Sequence, residues 1–504
     1  MFPFPFSQRF RMNLRPMQQN CNTFGMRKIF VLCLACATTL LACATSMVDD
    51  TEQALVVRDR KPDAGAVQPP VVSVGGKNLT LRPASVLPGD GFGAVMASSA
   101  DGSVLVVGAP SETGQSEGVN PPVGVRGATL QGAAFVFRRS AADMWSLEAY
   151  LKPSHAGING FGFGQAVAVS ADGAVVAIGA PEEDSESKGV NSSPSGFLNG
   201  AGAAYVFGFD AGKWTQTAYI KSAAPAGKAA FGRSVALAMN GALLAVGTPT
   251  EAGAGRVYTY TRVDKKWAPG NVVKVPAGAT GTSFGRALAM AENGDTLVVG
   301  ADTAKYTDGQ YVGAAHVFGR DSKGAWSLQT SLVAKSARAG EGFGTVLSLN
   351  ADGDVLAAGI PGEKGTGKGA ASDSTTRNES CATGAVYTYK RVASVWTVET
   401  YLKAARPACL DAAGGRFGAS VTLQSGIALW VGAPGAGDTG LLGRGQLHSF
   451  QRGSLLTPWA LESELVAESP KGGQGVGIAI AAARGQTASL VGGTEDGTAL
   501  VFRK

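Results

Sequence analysis

A Phe-Gly pair recurs along this 504-residue chain, and each copy is followed about 15 residues later by Val-Gly-Ala-Pro or a close variant. The copies lie 53 to 74 residues apart, a period that suits a unit of four short strands with loops of variable length. The sequence therefore predicts seven units in tandem. They begin at Phe92, Phe163, Phe231, Phe284, Phe343, Phe417 and, in degenerate form, Val476.

Each unit contains four short apolar runs separated by turn signals. In the second unit the runs begin near residues 163, 175, 203 and 214. Runs of five or six residues bounded by Asp-Gly, Asn-Gly or Gly-Pro predict strands buried on both faces, and the Asp-Gly and Asn-Gly pairs favour tight hairpins. No segment after residue 43 has the length and periodicity of a helix.

The third strand of each unit carries two large side chains two residues apart, which places both on one face of the strand. We expect these side chains to pack between adjacent units, and we assign the six tryptophans that open the fourth strands to architecture. The pairs are Phe135 and Phe137, Tyr205 and Phe207, Tyr258 and Tyr260, His316 and Phe318, Tyr387 and Tyr389, His448 and Phe450, and Leu500 and Phe502.

The seventh unit lacks a fourth strand, because Lys504 follows directly after its third. Residues 77–83, which contain Leu79-Thr-Leu-Arg-Pro83, end at nearly the same distance before Phe92 as Leu151-Lys-Pro153 ends before Phe163. We therefore predict that this segment completes the last unit. Pairing of the first and last segments would remove the exposed strand edge of an open array.

The succession Phe-Gly, Ser-Ala-Asp-Gly, Val-Gly-Ala-Pro, Tyr-Val-Phe and Trp resembles the FG-GAP repeats of integrin α subunits and bacterial surface proteins, and is most similar to the bacterial branch. The resemblance covers about residues 77–504. It implies an all-β fold, a seven-bladed β-propeller of four-stranded blades closed by the N-terminal strand. It leaves the activity open, because propellers host unrelated functions.

The segment before the repeats predicts export. A basic start at Met26-Arg27-Lys28 precedes an apolar run and Leu40-Leu41-Ala42-Cys43, which together indicate a signal peptide over 1–42 with Met26 as an alternative start. The last four residues resemble a lipobox, so Cys43 would carry lipid; a chance cysteine in the signal is the alternative. The polar, proline-containing residues 43–76 are predicted to be a flexible tether, and Ala44 favours the outer membrane, with a periplasmic or surface-facing propeller.

The formal charge of +6 comes mostly from the leader, which holds five of the 44 basic residues and no acidic residue. The remainder carries 39 basic against 38 acidic residues, and this balance predicts no affinity for nucleic acid. Cys381 and Cys409 are the two cysteines left after the leader and Cys43. In an exported chain they are expected to form a disulfide, and two free thiols too far apart to bridge are the alternative.

The sequence favours neither a metal site nor a catalytic centre. The hairpins at Asp101 and Asp172 offer one or two side-chain oxygen donors each, fewer than the Asp-x-Asp-x-Asp-Gly loops of integrins, so neither calcium nor another cofactor is expected. His316 and His448 replace third-strand aromatic residues and are interpreted as packing residues. His155 lies in a loop without a recognisable partner, and no catalytic residue is predicted.

The sequence favours a non-enzymatic cell-envelope lipoprotein whose propeller serves binding or adhesion. The long loops Ser111–Leu130, Glu182–Gly200 and Gly362–Thr383 join second and third strands, and those of blades one and two could form one patch for an unidentified protein or glycan. Insertions that bind nothing are an equal alternative. Two other functions stay open: an enzyme acting on glycans or other polymers through Glu182, Glu183 and Glu363, and a structural subunit of an envelope complex. The candidate contacts are Asn120, Pro121, Pro122, Phe197 and Leu198.

Overall fold

The computed structural model describes residues 71–502 except for short internal gaps. Cys43, the signal peptide and the tether up to residue 70 lie outside the described residues. No helix in the described part of the chain is long and apolar enough to cross a membrane. The gaps are residues 76–77, 123–124, 156, 158–159, 280–282, 305–311, 336, 371–375, 407–408, 410–413, 438–442, 468–474, 484–489 and 495–496.

The described residues form 29 strands and one 3-10 turn, Glu251–Gly253. In chain order the strands are β1 Val71–Gly75, β2 Asn78–Arg82, β3 Val95–Ser98, β4 Val104–Ala109, β5 Ala133–Arg139, β6 Trp145–Leu151, β7 Ala166–Val169, β8 Val175–Ala180, β9 Ala203–Asp210, β10 Lys213–Ile220, β11 Ser234–Ala238, β12 Leu243–Thr248, β13 Arg256–Val263, β14 Lys266–Lys274, β15 Leu288–Met290, β16 Thr296–Ala301, β17 Ala314–Arg320, β18 Trp326–Leu332, β19 Val346–Leu349, β20 Val355–Ile360, β21 Ala385–Val392, β22 Val395–Leu402, β23 Ser420–Ser425, β24 Ala428–Ala433, β25 Gln446–Gln451, β26 Ala460–Leu465, β27 Ile480–Ala482, β28 Leu490–Gly493 and β29 Ala499–Phe502.

Seven antiparallel sheets form the ring of a β-propeller, which confirms the predicted fold. Blades 1 to 6 take four consecutive strands each, from β3–β6 to β23–β26. The first strand of a blade is innermost and half-buried, and the second is fully buried, as in β3 and β4. The burial of these strands therefore depends on their distance from the axis of the ring.

Blade 7 is closed by the N-terminal segment. Strand β2 pairs with β29 in the register Leu79 to Val501 and Leu81 to Ala499, as the sequence predicts. The sheet also contains a fifth strand, β1, which pairs with β2 along its whole length. Residues 71–75 were predicted as part of the tether and instead extend this sheet, because β2 presents a free edge on which the preceding residues can pair.

The Phe-Gly and Val-Gly-Ala elements occur together because they meet at every blade junction. Gly164 has φ +90°, and a Cβ there would lie 2.2 Å from the carbonyl oxygen of Ala133 in the preceding blade. A Cβ on Gly179 would lie 1.9 Å from the carbonyl oxygen of Gly232 in the following blade. Phe163 beside the first glycine is fully buried. Both glycines are therefore required for the close approach of neighbouring backbones.

The core is a series of apolar clusters between adjacent blades, and the third-strand pairs lie in them as predicted. Tyr205 and Phe207 of blade 2 pack with Val104 and Val106 of blade 1, for example. The two histidines behave as packing residues. The ring centroids of His316 and Phe284 lie 5.7 Å apart, and those of His448 and Phe417 lie 5.1 Å apart.

Replacement of His316 by Tyr should reduce the acid sensitivity of the fold. Burial lowers the pKa of His316 to about 4, whereas an unfolded histidine titrates near about 6.5. Between these values the unfolded chain binds a proton that the folded chain does not, so stability falls as the pH falls, by up to about 3 kcal/mol. The difference in unfolding free energy between wild type and His316→Tyr should change across this window, and parallel pH profiles would contradict the assignment.

Candidate binding face

The long loops of blades 1, 2 and 5 emerge on the side of the ring where second strands end and third strands begin, which we call the upper face. In blade 1 the loop turns back beside the outer strand β6, where Val119 forms an antiparallel bridge with Leu151. The backbone NH of Asn120 donates to the Tyr150 carbonyl at 2.8 Å, and the Tyr150 NH donates to Asn120 Oδ1 at 2.8 Å. This loop is therefore fastened to the blade.

Blade 2 repeats this fastening. Val190 bridges Ile220, the Asn191 NH donates to the Tyr219 carbonyl at 2.7 Å, and the Tyr219 NH donates to Asn191 Oδ1 at 2.9 Å. Asn120 and Asn191 have φ of +49° and +55°, a left-handed conformation that asparagine adopts more readily than most residues. The predicted contact Asn120 thus has its side-chain oxygen engaged within the fold.

A buried ion pair lies beneath each of these loops. In blade 1, Lys152 Nζ donates to Glu112 Oε2 at 2.6 Å and to the Gly132 carbonyl at 2.7 Å, and the lysine side chain is completely buried. The equivalent pairs are Glu183 with Lys221 in blade 2 and Glu363 with Lys403 in blade 5. Burial lowers the pKa of Lys152, and the Glu112 carboxylate opposes that shift.

The two partners of this pair are replaced together in blades 4 and 6. Ala304 and Val333 occupy the positions of glutamate and lysine in blade 4, and Ala436 and Val466 occupy them in blade 6. Ala304 and Ala436 are buried. The chain therefore contains a charged and an apolar version of one site. Blade 3, whose loop is short, keeps the glutamate: Glu251 is buried and pairs with Arg256 at 3.1 Å. The glutamate–lysine pair accompanies the three long loops.

His155 has a partner that sequence reasoning missed. Its Nε2 lies 3.1 Å from Glu183 Oε1, and the same oxygen accepts a hydrogen bond from Tyr219 Oη at 2.8 Å. Burial raises the pKa of Glu183, but the His155 hydrogen bond and the Lys221 charge outweigh it and hold that pKa below its usual value. The sequence signal for this site was a glutamate and a Tyr-x-Lys segment that recur in blades 1, 2 and 5. These residues come together only after the blade folds.

The blade 5 loop has an additional network. Arg377 pairs with Glu341 and contacts Glu363 at 3.3 Å. The structure contains a disulfide between Cys381 and Cys409, with Cα atoms 5.7 Å apart. This bond joins the loop to the connection between blades 5 and 6.

Reduction of the Cys381–Cys409 bond should destabilise the protein by about 3–4 kcal/mol, because the closed loop spans a separation of 28 residues. Cys381→Ser/Cys409→Ser should reproduce the loss, measured by urea unfolding. Thiol labelling of the unreduced, denatured protein without Cys43 gives an independent result: two reactive thiols would contradict the bond.

The three carboxylates considered for an enzyme do not converge. Glu183 and Glu363 are fully buried, paired with lysines, and belong to blades 2 and 5. Glu182 is exposed. Among the described residues, no group of three His, Cys, Asp or Glu has the arrangement of a metal site. A two-carboxylate mechanism requires both groups on one substrate, and this arrangement does not provide it.

Exposed apolar side chains lie on the loops of blades 1 and 2 and on the connection into blade 1. The exposed fractions are 85% for Val125, 46% for Leu130, 48% for Phe197 and 48% for Leu87. The predicted contacts Pro122 and Phe197 are exposed, whereas Pro121 and Leu198 are half-buried. Sequence reasoning missed Val125 and Leu130, whose exposure depends on the path of the loop.

Charged residues cluster where the first strands of blades 3 and 4 begin. Arg233 and Arg286 directly follow Phe-Gly in blades 3 and 4, and Arg286 Nε lies 3.8 Å from Asp302 Oδ2. Burial and the charge of Arg286 lower the pKa of Arg233, whereas Glu182 and Asp302 oppose that change. Asp302 replaces the proline that follows Gly-Ala in blades 1 and 2. These departures from the repeat bring four charges together beside the blade 2 loop.

No family model matches this chain, and no curated protein matches it. Among solved structures, a chain of a mitotic checkpoint complex is similar with TM-score 0.46 and 11% identity, covering 89% of this chain and 99% of that one. A candidate 6-phosphogluconolactonase from Bacteroides uniformis gives 0.43 and 11%, covering 78% and 93%. Its counterpart from Bacteroides fragilis gives 0.41 and 12%, covering 73% and 84%. None of these likenesses supports an inference about function.

Proposed function

We propose that this protein is a non-enzymatic, exported lipoprotein that binds a protein or glycan partner through the upper face of blades 1 and 2. The observation that carries the proposal is the combination of fastened loops with exposed apolar side chains. Ion pairs and backbone bridges hold the loops, and Val125, Leu130 and Phe197 are presented to solvent. A surface ordered before binding loses less conformational entropy on association.

The chemistry of this face suits a partner with both apolar and polar groups. Exposed apolar side chains supply area that water leaves on binding. The charged cluster beside the blade 2 loop, which includes Glu182 and Arg233, supplies orientation and specificity. The placement of the proposed residues in loops on a rigid ring supports a binding role, because function is often carried by loops that a rigid scaffold positions.

The binding proposal is tested with the soluble fragment that begins after Cys43. The fragment would be screened on a glycan array and by pull-down from cell-envelope extract. Shortening the loops of blades 1 and 2 to the length in blade 3, or Phe197→Asp with Val125→Asp, should abolish binding to the partner found. Val392→Asp is the matched control. Val392 is exposed and lies in blade 5 at the end of β21, on the side of the ring opposite to the upper face. If the loop variants bind as tightly as the wild-type fragment, the binding site does not lie on these loops.

Membrane anchoring is tested separately. Acyl chains contribute about 0.8 kcal/mol per buried CH₂ group, so lipid on Cys43 should hold the full chain at a membrane. Cys43→Ser should shift the protein to the soluble fraction of a cell lysate. Equal membrane association of wild type and variant would refute the lipoprotein assignment and leave the binding face untouched.

A further inference from the structure

Two neighbouring blades carry an arginine where the other five have an uncharged residue. The residue directly after Phe-Gly is Arg233 in blade 3 and Arg286 in blade 4. First strands run antiparallel to second strands, so both arginines lie where first strands begin, on the upper face. The equivalent residues of blades 1, 2, 5, 6 and 7 are Ala94, Gln165, Thr345, Ala419 and Ile478.

Backbone contacts fix where Arg233 lies. The glycine that precedes it, Gly232, packs against blade 2, since a Cβ on Gly179 would lie 1.9 Å from its carbonyl oxygen. The serine that follows Arg233 donates through its hydroxyl group to the Gly285 carbonyl at 2.8 Å, one residue before Arg286. Arg233 is therefore held between the end of β8 in blade 2 and the arginine of blade 4.

The guanidinium groups have donors that the fold does not use. In the described part of the chain, the Arg233 side chain has no hydrogen-bond or ion-pair partner. It is half-buried, and its three nitrogen atoms remain accessible to solvent. Arg286 is 38% exposed, and its Nε lies 3.8 Å from Asp302 Oδ2, too far for a hydrogen bond. A ligand on the upper face can therefore reach both groups.

The neighbours of Arg233 add complementary groups. Gln165 is half-buried, and its side-chain amide, which can donate and accept, forms no hydrogen bond with a described residue. Glu182 is exposed, and its charge and that of Asp302 act on Arg233. These two carboxylates would repel a ligand that is only an anion. A ligand with one carboxylate and neighbouring hydroxyl groups suits the site, because hydroxyl groups donate to carboxylates.

We propose that Arg233 and Arg286 bind the carboxylate of an acidic sugar, whose hydroxyl groups hydrogen-bond to Glu182 and Gln165. The planar guanidinium matches a carboxylate in shape and donates charge-assisted hydrogen bonds to it. A carboxylate beside both guanidinium groups would also offset their mutual repulsion.

This inference rests on the proposed function, because it identifies the acidic sugar as the part of a glycan partner that meets the upper face beside the blade 2 loop. An acidic side chain of a protein partner fits the site less well. It offers a carboxylate to Arg233 and brings no hydroxyl donor for Glu182.

The test is an NMR titration of the fragment that begins after Cys43, with ¹⁵N in its arginine side chains. The probes are glucuronate, N-acetylglutamate as an acidic side chain, and glucose as a neutral sugar. The Arg233 Nε signal, assigned through Arg233→Gln, should shift saturably with glucuronate. N-acetylglutamate should bind about fivefold more weakly, the effect of one lost hydrogen bond, and glucose should give no shift. The signal of Arg416, an exposed arginine of blade 6, is the internal control.

Variants taken from the other blades sharpen the test. Arg233→Gln copies blade 2 and should weaken glucuronate binding about tenfold or more, equivalent to about 1.4 kcal/mol, as followed by the Arg286 signal. Glu182→Ala should remove the preference for glucuronate over N-acetylglutamate. Arg416→Gln, the same change at another start of a first strand, should leave binding unchanged.

Four results would overturn the proposal: no shift with glucuronate, an equal shift with glucose, binding of N-acetylglutamate as tight as that of glucuronate, or unchanged binding by Arg233→Gln. The third would favour an acidic peptide as the partner. If glycan binding depends on Phe197 and Val125 while Arg233 does not respond to glucuronate, only this inference fails. If Arg233 responds while the loop variants keep full glycan binding, the sugar site stands and the proposed loop contacts are wrong.

Discussion

Glu112→Ala is expected to destabilise the protein by about 3–5 kcal/mol, because it leaves the ammonium of Lys152 buried without its carboxylate. The expected readout is a lower urea midpoint with an unchanged slope. Faster limited proteolysis within Ser111–Leu130 should accompany it, since the ion pair lies under this loop. Arg126 contacts both Asp90, at 2.9 Å, and Glu112, at 3.7 Å, and we expect its pair with Asp90 to persist in the variant.

The double substitution Glu112→Ala/Lys152→Val should recover most of this loss. It copies Ala304 and Val333 of blade 4, and buried ion pairs are often replaced by apolar residues at little cost. Asp210→Ala breaks an exposed pair and should leave the unfolding free energy unchanged. A double variant as unstable as Glu112→Ala would show that the charges are required for the blade.

Removal of the closing strand should produce the second large effect. A fragment that begins at residue 84 lacks β2, so β29 loses its outer partner and Leu79 and Leu81 leave the core, where they are 6% and 0% exposed. Loss of a buried leucine side chain alone costs about 2–5 kcal/mol. The exposed edge of β29 should also favour aggregation.

Two companion fragments separate closure from the additional strand. A fragment that begins at residue 77 keeps β2 and loses β1, and it should melt close to the fragment that begins at residue 71. The fragment that begins at residue 84 should melt well below both in calorimetry. Equal melting temperatures for all three would refute closure by β2.

The sequence was informative wherever a feature repeats. Phe163-Gly164 and Val-Gly-Ala are visible because steric contact between backbones at each junction excludes any side chain on Gly164 and Gly179. The third-strand aromatics are visible for a similar reason, because every junction must be filled by large side chains. Local turn chemistry and period were thus enough to predict the number of blades and their order.

The candidate site was only partly predictable. The sequence identified the long loops and the exposed Phe197. It did not indicate that Asn120 fastens its loop or that His155 meets Glu183, since residues 155 and 183 approach only across a folded junction. Pairing of Glu112 with Lys152 links residues 40 positions apart, so the recurrence of these two positions in the sequence did not indicate that they meet.

The seven-fold repeat, the strand order and closure by the N-terminal segment follow from the amino-acid sequence, because these depend on steric and turn constraints that act within a unit or between identical neighbours. The effect of an exception to the repeat depends on the folded ring. Arg233, Arg286 and Asp302 are separated in the sequence and come close together only when blades 3 and 4 meet. Burial and hydrogen bonding of such side chains are properties of the contact between units, and no single unit of the sequence contains them.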